Sequence, residues 1–293
     1  MSRDHIIPRF ILKGFAINPE ANPKNQKIMI YDRKTSTVET KKIVDAYAIE
    51  DFNSSETEQF LAYKYENDVA KIFQRIKMSS ENNDSNVELS NTEYLLLFRF
   101  FTIMWRRNNI QIDKAKEMLK VVDNYIQSIF GNQFSDRLKP EYKDKSLDDI
   151  FEESKDNWVK PFYEYIIKTT SDKDPTVLKT IKNYVPTIIY NKSNIHFILH
   201  DTYGTLRYIT EKNHEIGEFD VPYLMIEPIS AELCFCLMFS KNEIDITQQK
   251  YNIKIETWDN DEDIKQHFID GYITPVAKSF VVDETNQKFI RNS

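Results

Sequence analysis

Pro186-Thr-Ile-Ile-Tyr-Asn-Lys-Ser-Asn-Ile-His-Phe-Ile-Leu-His200 marks the point at which the chain changes character. Before it, apolar residues recur at helical spacing. After it they come in short β-branched and aromatic runs, at 187–190, 195–200, 206–210, 223–226 and 233–239, separated by turn residues. Side chains of those types pack well on a pleated surface and lose rotamer freedom on a helix, so the runs read as strands. A helical half followed by a strand-rich half predicts an α+β fold whose second half is a largely antiparallel sheet. His196 and His200 lie inside the deciding stretch, four residues apart. A helix would put both on one face as metal ligands. A strand, rising about 3.3 Å per residue, holds them roughly 13 Å apart, too far to share an ion. The strand reading therefore places no metal here.

Working back toward the N-terminus, Ser90-Asn-Thr-Glu93 has the form of a capping box, a serine oxygen three residues ahead of a glutamate, and Ser55-Glu-Thr-Glu58 has the same form. Behind the first, a helix is predicted from about residue 90 toward 130, with a break near Asn108-Asn109 and helical pieces continuing to about 184. Behind the second, Leu61, Tyr65, Val69, Ile72, Phe73 and Ile76 keep one helical stripe. The polar, Asn-rich stretch 79–90 reads as a linker. Residues 27–33 and 38–44 read as two strands joined by Lys34-Thr-Ser-Thr, a hairpin. Beyond the sheet, 261–270 predicts a closing helix, 280–282 a strand, and the remainder a polar tail. No stretch repeats. The organisation predicted is one domain over 1–293: an N-terminal plug and hairpin (1–45), a helical part (55–185) and a β-rich part (186–285).

Composition narrows the function classes. The 293 residues hold 19 Phe and 16 Tyr within 41% apolar content, ample for a packed core. Only five glycines occur, at 14, 131, 204, 217 and 271. They are too scattered to form a phosphate-cradling loop, which removes dinucleotide-binding and P-loop readings. Cys234 and Cys236 sit two apart in an apolar run and read as small core residues on one strand face. Two thiols without a matching pair fit a reducing compartment, and residues 1–5 run straight into folded-looking sequence without a leader, so the expected localisation is cytoplasmic. The longest apolar run, 94–105, is well short of the roughly 20 residues a membrane span requires. Net charge is −7, but residues 1–42 carry nine Lys/Arg against four Asp/Glu. A nucleic acid would find positive charge only on that basic N-terminal face, while the acidic body repels it. No motif names a cofactor or a protein partner.

Three groups of residues carry chemistry. His5-Ile-Ile-Pro-Arg-Phe-Ile-Leu-Lys-Gly-Phe-Ala16 sets one imidazole at the edge of an apolar plug. Either Phe10, Leu12 and Phe15 anchor the terminus and His5 is a hydrogen-bonded structural residue, or His5 is a general acid or base. Glu66 falls about 80° from the centre of its helical stripe, at the boundary of water and core. Either it is a solvated flank or it faces a cleft and is held by a cation. In the run 94–105 the polar positions Arg99, Thr102 and Arg106 form the only polar stripe of an otherwise apolar helix. If that stripe meets protein, each guanidinium needs a carboxylate or an anion, and Glu66 is the expected partner of Arg106.

The opening also resembles that of the bacterial family catalogued as domain of unknown function 4238, which begins H-x-x-P-[QR]-[FY]-x-L-x-x-F-A. Tyr31-Asp32-Arg33, Leu61-Ala-Tyr-Lys-Tyr-Glu66 and Phe98-Arg-Phe-Phe-Thr-Ile-Met-Trp-Arg106 are similar to its later elements. His200-Asp201-Thr202-Tyr203 and Pro228-Ile229-Ser230-Ala231 stand where that family has Ser-Asp-Asn-Pro and Pro-Leu-Ser-Pro. The missing Asn-Pro after Asp201 alters the turn that aims this carboxylate. The resemblance implies an architecture and candidate positions without a substrate. The expected function is a hydrolase or nuclease-like effector acting on an anionic group, with His5, Glu66 and Asp201 as catalytic groups and Arg9, Arg99 and Arg106 as the anion clamp. The alternative is a binding or regulatory module in which the same residues only knit the plug to helix and sheet. Membership of a bacterial defence system is a further expectation, resting on the family's status alone.

Overall fold

Ser90 and Glu93 close the expected capping box reciprocally: the Glu93 N–H donates to Ser90 Oγ at 3.4 Å, and the Ser90 N–H to Glu93 Oε2 at 2.9 Å. The helix they start is the longest element among the described residues of the computed structural model. The structure describes residues 3–50, 53–107, 164–165, 167–170, 173–203, 224–240, 242–270 and 277–290, with the isolated positions 117, 121, 128 and 149. The expected helical continuation to 130, and the expected strand at 206–210, lie outside the described residues.

In chain order the elements are β1 (Arg3–His5), α1 (Arg9–Lys13), β2 (Lys27–Asp32), β3 (Thr37–Lys42), β4 (Ala48–Glu50), α2 (Ser55–Leu61), a π-helical turn (Ala62–Glu66) and α3 (Asn67–Glu81). Then come β5 (Asn86–Ser90), α4 (Asn91–Arg107), α5 (Pro175–Asn183), β6 (Tyr184–Asn191) and β7 (Leu199–His200). The chain closes with β8 (Leu224–Pro228), β9 (Leu233–Phe239), β10 (Lys250–Trp258), α6 (Asp261–Ile264) with a second π-helical turn (Lys265–Asp270), β11 (Ser279–Val282) and α7 (Gln287–Ile290). This is the α+β class. A five-stranded sheet runs β5-β10-β6-β9-β8, antiparallel except for the parallel pair β6 and β10. A four-stranded antiparallel sheet runs β3-β2-β11-β7, and β1 pairs with β4.

The expected hairpin is β2–β3; Asp32 Oδ1 accepts from the N–H of Thr35 at 2.9 Å, and Ser36 takes a left-handed φ of 54° to close the turn. The Leu233 run forms β9, with Cys234 and Cys236 buried on one face and their sulfurs 3.8 Å apart.

Four local expectations are corrected. The cap of α2 is Ser54, whose Oγ accepts from the Thr57 N–H at 3.2 Å, one residue earlier than the sequence pattern suggests. The stretch read as a linker holds the end of α3 and the whole of β5, because Val87 and Leu89 alternate inward against β10. The run 195–200 is strand only at its end: Asn191 Nδ2 and Ser193 Oγ both donate to the Ile195 carbonyl and fold the chain into a turn before it. The nine-residue strand β10 was not expected at all, although Tyr251, Ile253 and Ile255 point inward and alternate with outward Lys, Asn and Glu, the period-two pattern of a half-buried strand.

The core joins α4 to the large sheet and to the N-terminus. Phe101 stacks on Phe235 of β9 at 4.7 Å between centroids, and Tyr94 stacks on Tyr251 of β10 at 3.8 Å. On the other side of α4, Phe100 and Phe73 of α3 both meet Phe10, at 5.7 and 5.9 Å. The N-terminal plug is thus a short helix whose Ile11 and Leu12 are fully buried and whose Phe10 docks between α3 and α4. Among the described residues no helix is long and apolar enough to cross a membrane.

Candidate functional site

Pairing of β1 with β4 sets His5 opposite Ala48 and turns its ring under α1. The Arg9 guanidinium, an obligate donor, gives its Nε–H to His5 Nδ1 at 3.3 Å, so the ring proton sits on Nε2 and is donated to the Ile43 carbonyl at 3.1 Å. Both ring nitrogens are engaged. In this arrangement His5 fixes Arg9, which is itself exposed.

Arg107, the last residue of α4, organises the rest. Its side chain is 1% exposed. Nη1 donates to Glu66 Oε1 at 3.1 Å and Nη2 to Glu58 Oε1 at 3.0 Å. On an uninterrupted α-helix, residues eight apart differ by about 80° around the axis. The π-helical turn Ala62–Glu66 takes up an extra residue between the two glutamates and removes most of that angle, so both carboxylates reach one guanidinium. Asn53 extends the network: its side-chain amide donates to Glu58 Oε1, and its backbone N–H donates to Asp4 Oδ2 at 2.8 Å. Burial pushes the Glu58 carboxyl above its ordinary range; Arg107 and Asn53 pull against that, and the charges of Asp4 and Glu66 add to it.

These groups open onto a cleft of about 290 Å³ walled by His5, Arg9, Lys13, Glu58, Glu66 and Arg107. Arg9 and Lys13 are four apart on α1 and so lie on one helix face. The partnership expected between Glu66 and Arg106 is corrected: Glu66 belongs to Arg107. Arg106 instead forks onto Asp174, with bonds of 2.8 and 3.2 Å, and reaches Thr170 Oγ1 at 2.6 Å. Neither Arg106 nor Arg99, which is half-buried earlier on α4, lines the cleft. Asp201 has other partners: the Lys278 N–H donates to both its oxygens, at 3.1 and 3.3 Å, and its own N–H bonds the Ser279 carbonyl at 3.0 Å. Burial raises its carboxyl. The residues missed were Arg107, Glu58, Asn53 and Asp4. Arg107 follows Phe100, Ile103 and Met104 around the helix, on its most apolar side, which is the signal that a cation there needs carboxylates.

A second cavity, a groove of about 820 Å³, adjoins the cleft and shares Phe10, Lys13 and Ala70 with it. His196 stands on its wall. Its Nδ1 meets Asp283 Oδ2 at 2.5 Å, while Asp283 Oδ1 accepts from the Thr285 N–H and hydroxyl at 2.8 and 2.6 Å. His200, in contrast, bonds the Thr202 hydroxyl through Nδ1 at 2.7 Å, so the two histidines serve different sites.

The His196–Asp283 pair predicts a pH signature. The Asp283 hydrogen bond raises the His196 pKa above 6.5, against burial. At Asp283 burial pushes up, but the bonds from His196 and Thr285 outweigh it and leave the carboxyl below 3.8. A raised histidine stabilises the fold below its unfolded pKa and loses that contribution as pH rises through the folded value. A lowered carboxyl contributes above its unfolded pKa and loses it as pH falls. Both contributions are therefore present between about pH 4 and 6.5. His196→Gln is expected to lower Tm most near pH 5.5 and least near pH 9; a deficit equal at both values in thermal melts refutes the ion pair.

The sequence pattern of the family described as "Protein of unknown function (DUF4238)" matches residues 3–293. No curated protein and no solved structure matches the chain.

Proposed function

From the premise that the chain belongs to the DUF4238 family of proteins of unknown function, we propose that it is a hydrolase of anionic substrates, of the phosphodiester-cleaving kind, acting in the cleft beside α1. The observation that carries this reading is the pair of glutamates, Glu58 and Glu66, held on one buried Arg107 at the wall of a cleft whose rim bears Arg9 and Lys13. Arg9 and Lys13 hold the anionic group, Arg9 with its Nε fixed by His5 and its terminal nitrogens available for a forked contact. Glu58, the carboxyl that burial pushes above its ordinary range, gives a proton to the departing oxygen. Glu66, on the same guanidinium, takes the proton of the attacking water. Two carboxyls in one site, one pushed up by its surroundings, are the usual means of dividing acid and base work. His5 acts through Arg9. Asp201, Arg99 and Arg106 have no part in it, because none of them lines the cleft.

The experiment is release of p-nitrophenolate from bis(p-nitrophenyl) phosphate by the full chain. Glu58→Gln should reduce turnover about 10²- to 10⁴-fold. Arg9→Met, at an exposed position, should raise KM while leaving Tm unchanged. Turnover absent from the wild type, or unchanged in Glu58→Gln, overturns the reading. A binding module is the second reading, favoured by the engagement of both His5 nitrogens and the near-complete burial of Arg107. It requires that no variant of the cleft alter any turnover.

A further inference from the structure

The cleft and the groove meet at Phe10, Lys13 and Ala70, and their linings differ in balance. The cleft is lined mainly by charged groups. The groove carries Phe10, Phe15, Met29, Phe73 and Leu233, with His196 and Asp283 on its wall and Lys77, Glu232 and Glu284 as its other charged residues. Its volume of about 820 Å³ falls in the range of small-molecule sites, which combine apolar walls with a few fixed polar groups. We propose that the two cavities hold one molecule, a small amphiphile: its anionic group sits at Arg9 and Lys13, and its apolar body lies along the groove toward His196. This rests on the reading of the cleft as an anion site and adds the class of molecule that enters it.

Charge complementarity selects this occupant. Lys13 is exposed and lines both cavities, so its ammonium stands at the junction where an anionic head turns into an apolar body. Arg9, one helical turn away, adds a second cation on the cleft side only. Beyond the junction Phe15, Met29, Phe73 and Leu233 offer aromatic and aliphatic surface among the groove's polar residues, and that surface gains by excluding water from an alkyl or aryl chain. At the wall His196 is held through Nδ1 by Asp283, and Asp283 is fixed in turn by Thr285. Nε2 of His196 makes no hydrogen bond among the described residues and is not among the buried atoms without a partner. It is therefore accessible to solvent, on a residue that lines the groove, and offers a fixed point for an oxygen on the distal part of the ligand.

Calorimetric titration of the full chain with octyl phosphate, inorganic phosphate and octanol tests the proposal. Octyl phosphate should bind at least about tenfold tighter than either of the others, a modest part of what an octyl chain gains on leaving water. Lys13→Met, at an exposed position that does not endanger folding, should weaken octyl phosphate about tenfold. Ala70→Trp, which sets an indole across the junction, should bring octyl phosphate down to the affinity of inorganic phosphate. Octyl phosphate no tighter than inorganic phosphate overturns the amphiphile and leaves the anion site standing. Octanol as tight as octyl phosphate overturns the anionic arm, and with it the reading of the cleft. Undiminished octyl phosphate binding in a folded Ala70→Trp overturns the continuity of the two cavities. No binding of any of the three overturns both readings.

Discussion

Arg107→Met is expected to lower the unfolding free energy by about 3–5 kcal/mol, the range seen when one partner of a buried ion pair is removed, and to reduce Tm on the order of 10 °C. The loss comes from what the substitution leaves behind. The methionine fills much of the aliphatic volume, but Glu58 and Glu66 keep two carboxyls that had shared one guanidinium, with Asp4 joined to Glu58 through Asn53. Burial already pushes Glu58 up in the intact protein, and removing the cation that opposes this raises it further. A carboxyl whose folded pKa lies above its unfolded value destabilises the fold at neutral pH and ceases to do so as pH falls. The Tm deficit of Arg107→Met should therefore shrink between pH 7 and about pH 4.5. Glu66→Gln in the same background should recover part of it by removing one of the stranded charges. Arg106→Met gives the contrast: Arg106 is itself 18% exposed against 1% for Arg107 and is paired with one carboxylate, Asp174, so water reaches the vacated position and a single charge is left behind. Equal melting of Arg107→Met and the wild type in scanning calorimetry would show that the three-residue cluster carries no stability.

The same cluster shows where the amino-acid sequence is informative and where it is not. The change of period near residue 186 carries the α+β class, and the capping box at Ser90 carries the start of α4, because both are local signals: side-chain alternation and a serine oxygen three residues from a glutamate. The family expected from the resemblance is the one whose pattern runs through residues 3–293. Of the six expected site residues, Glu66, Arg9 and His5 line one cleft, and Asp201, Arg99 and Arg106 do not. Their pairing was not legible. The expected partner of Glu66 is Arg106, on the polar stripe of the 94–106 helix, whereas the π-helical turn brings Glu66 and Glu58 together on Arg107, on the apolar side of α4. The strand β10 escaped without such a reason. Its buried residues alternate cleanly with polar ones, so the strand itself was legible; only its partners β5 and β6, far away in sequence, are not local information. Asp201 was joined to the site through the family pattern alone. Its turn lacks the expected Asn-Pro, and its carboxylate is taken by the backbone of Lys278.

Gly14→Ala is expected to destabilise the fold by about 2–3 kcal/mol despite adding a single methyl group to a residue whose φ of −66° suits any side chain. The obstacle is space. A Cβ on residue 14 would lie 2.7 Å from the Ile229 carbonyl oxygen and 2.8 to 2.9 Å from the Ser230 Cβ and Cα. Two of those atoms are backbone, in a segment that is tied on every side. Ile229 and Ser230 donate their N–H groups to the Leu233 carbonyl, Ala231 donates to Gly14 itself at 2.9 Å, and Phe197 donates to Ala231. Relieving the contact therefore means breaking the bond that staples the N-terminal plug to the β8–β9 turn. The opening segment depends on this glycine for that reason: it ends α1 where the chain must touch Ile229, Ser230 and Ala231. Because Gly14, Ile229 and Ser230 also wall the larger groove, the substitution should weaken octyl phosphate binding at temperatures where the variant remains folded. Thermal melts give the first result and calorimetry below the transition the second. A Gly14→Ala protein that melts with the wild type would mean that the turn yields by several tenths of an ångström without losing its hydrogen bonds, and that the plug is held by Ile11, Leu12 and Phe10 alone.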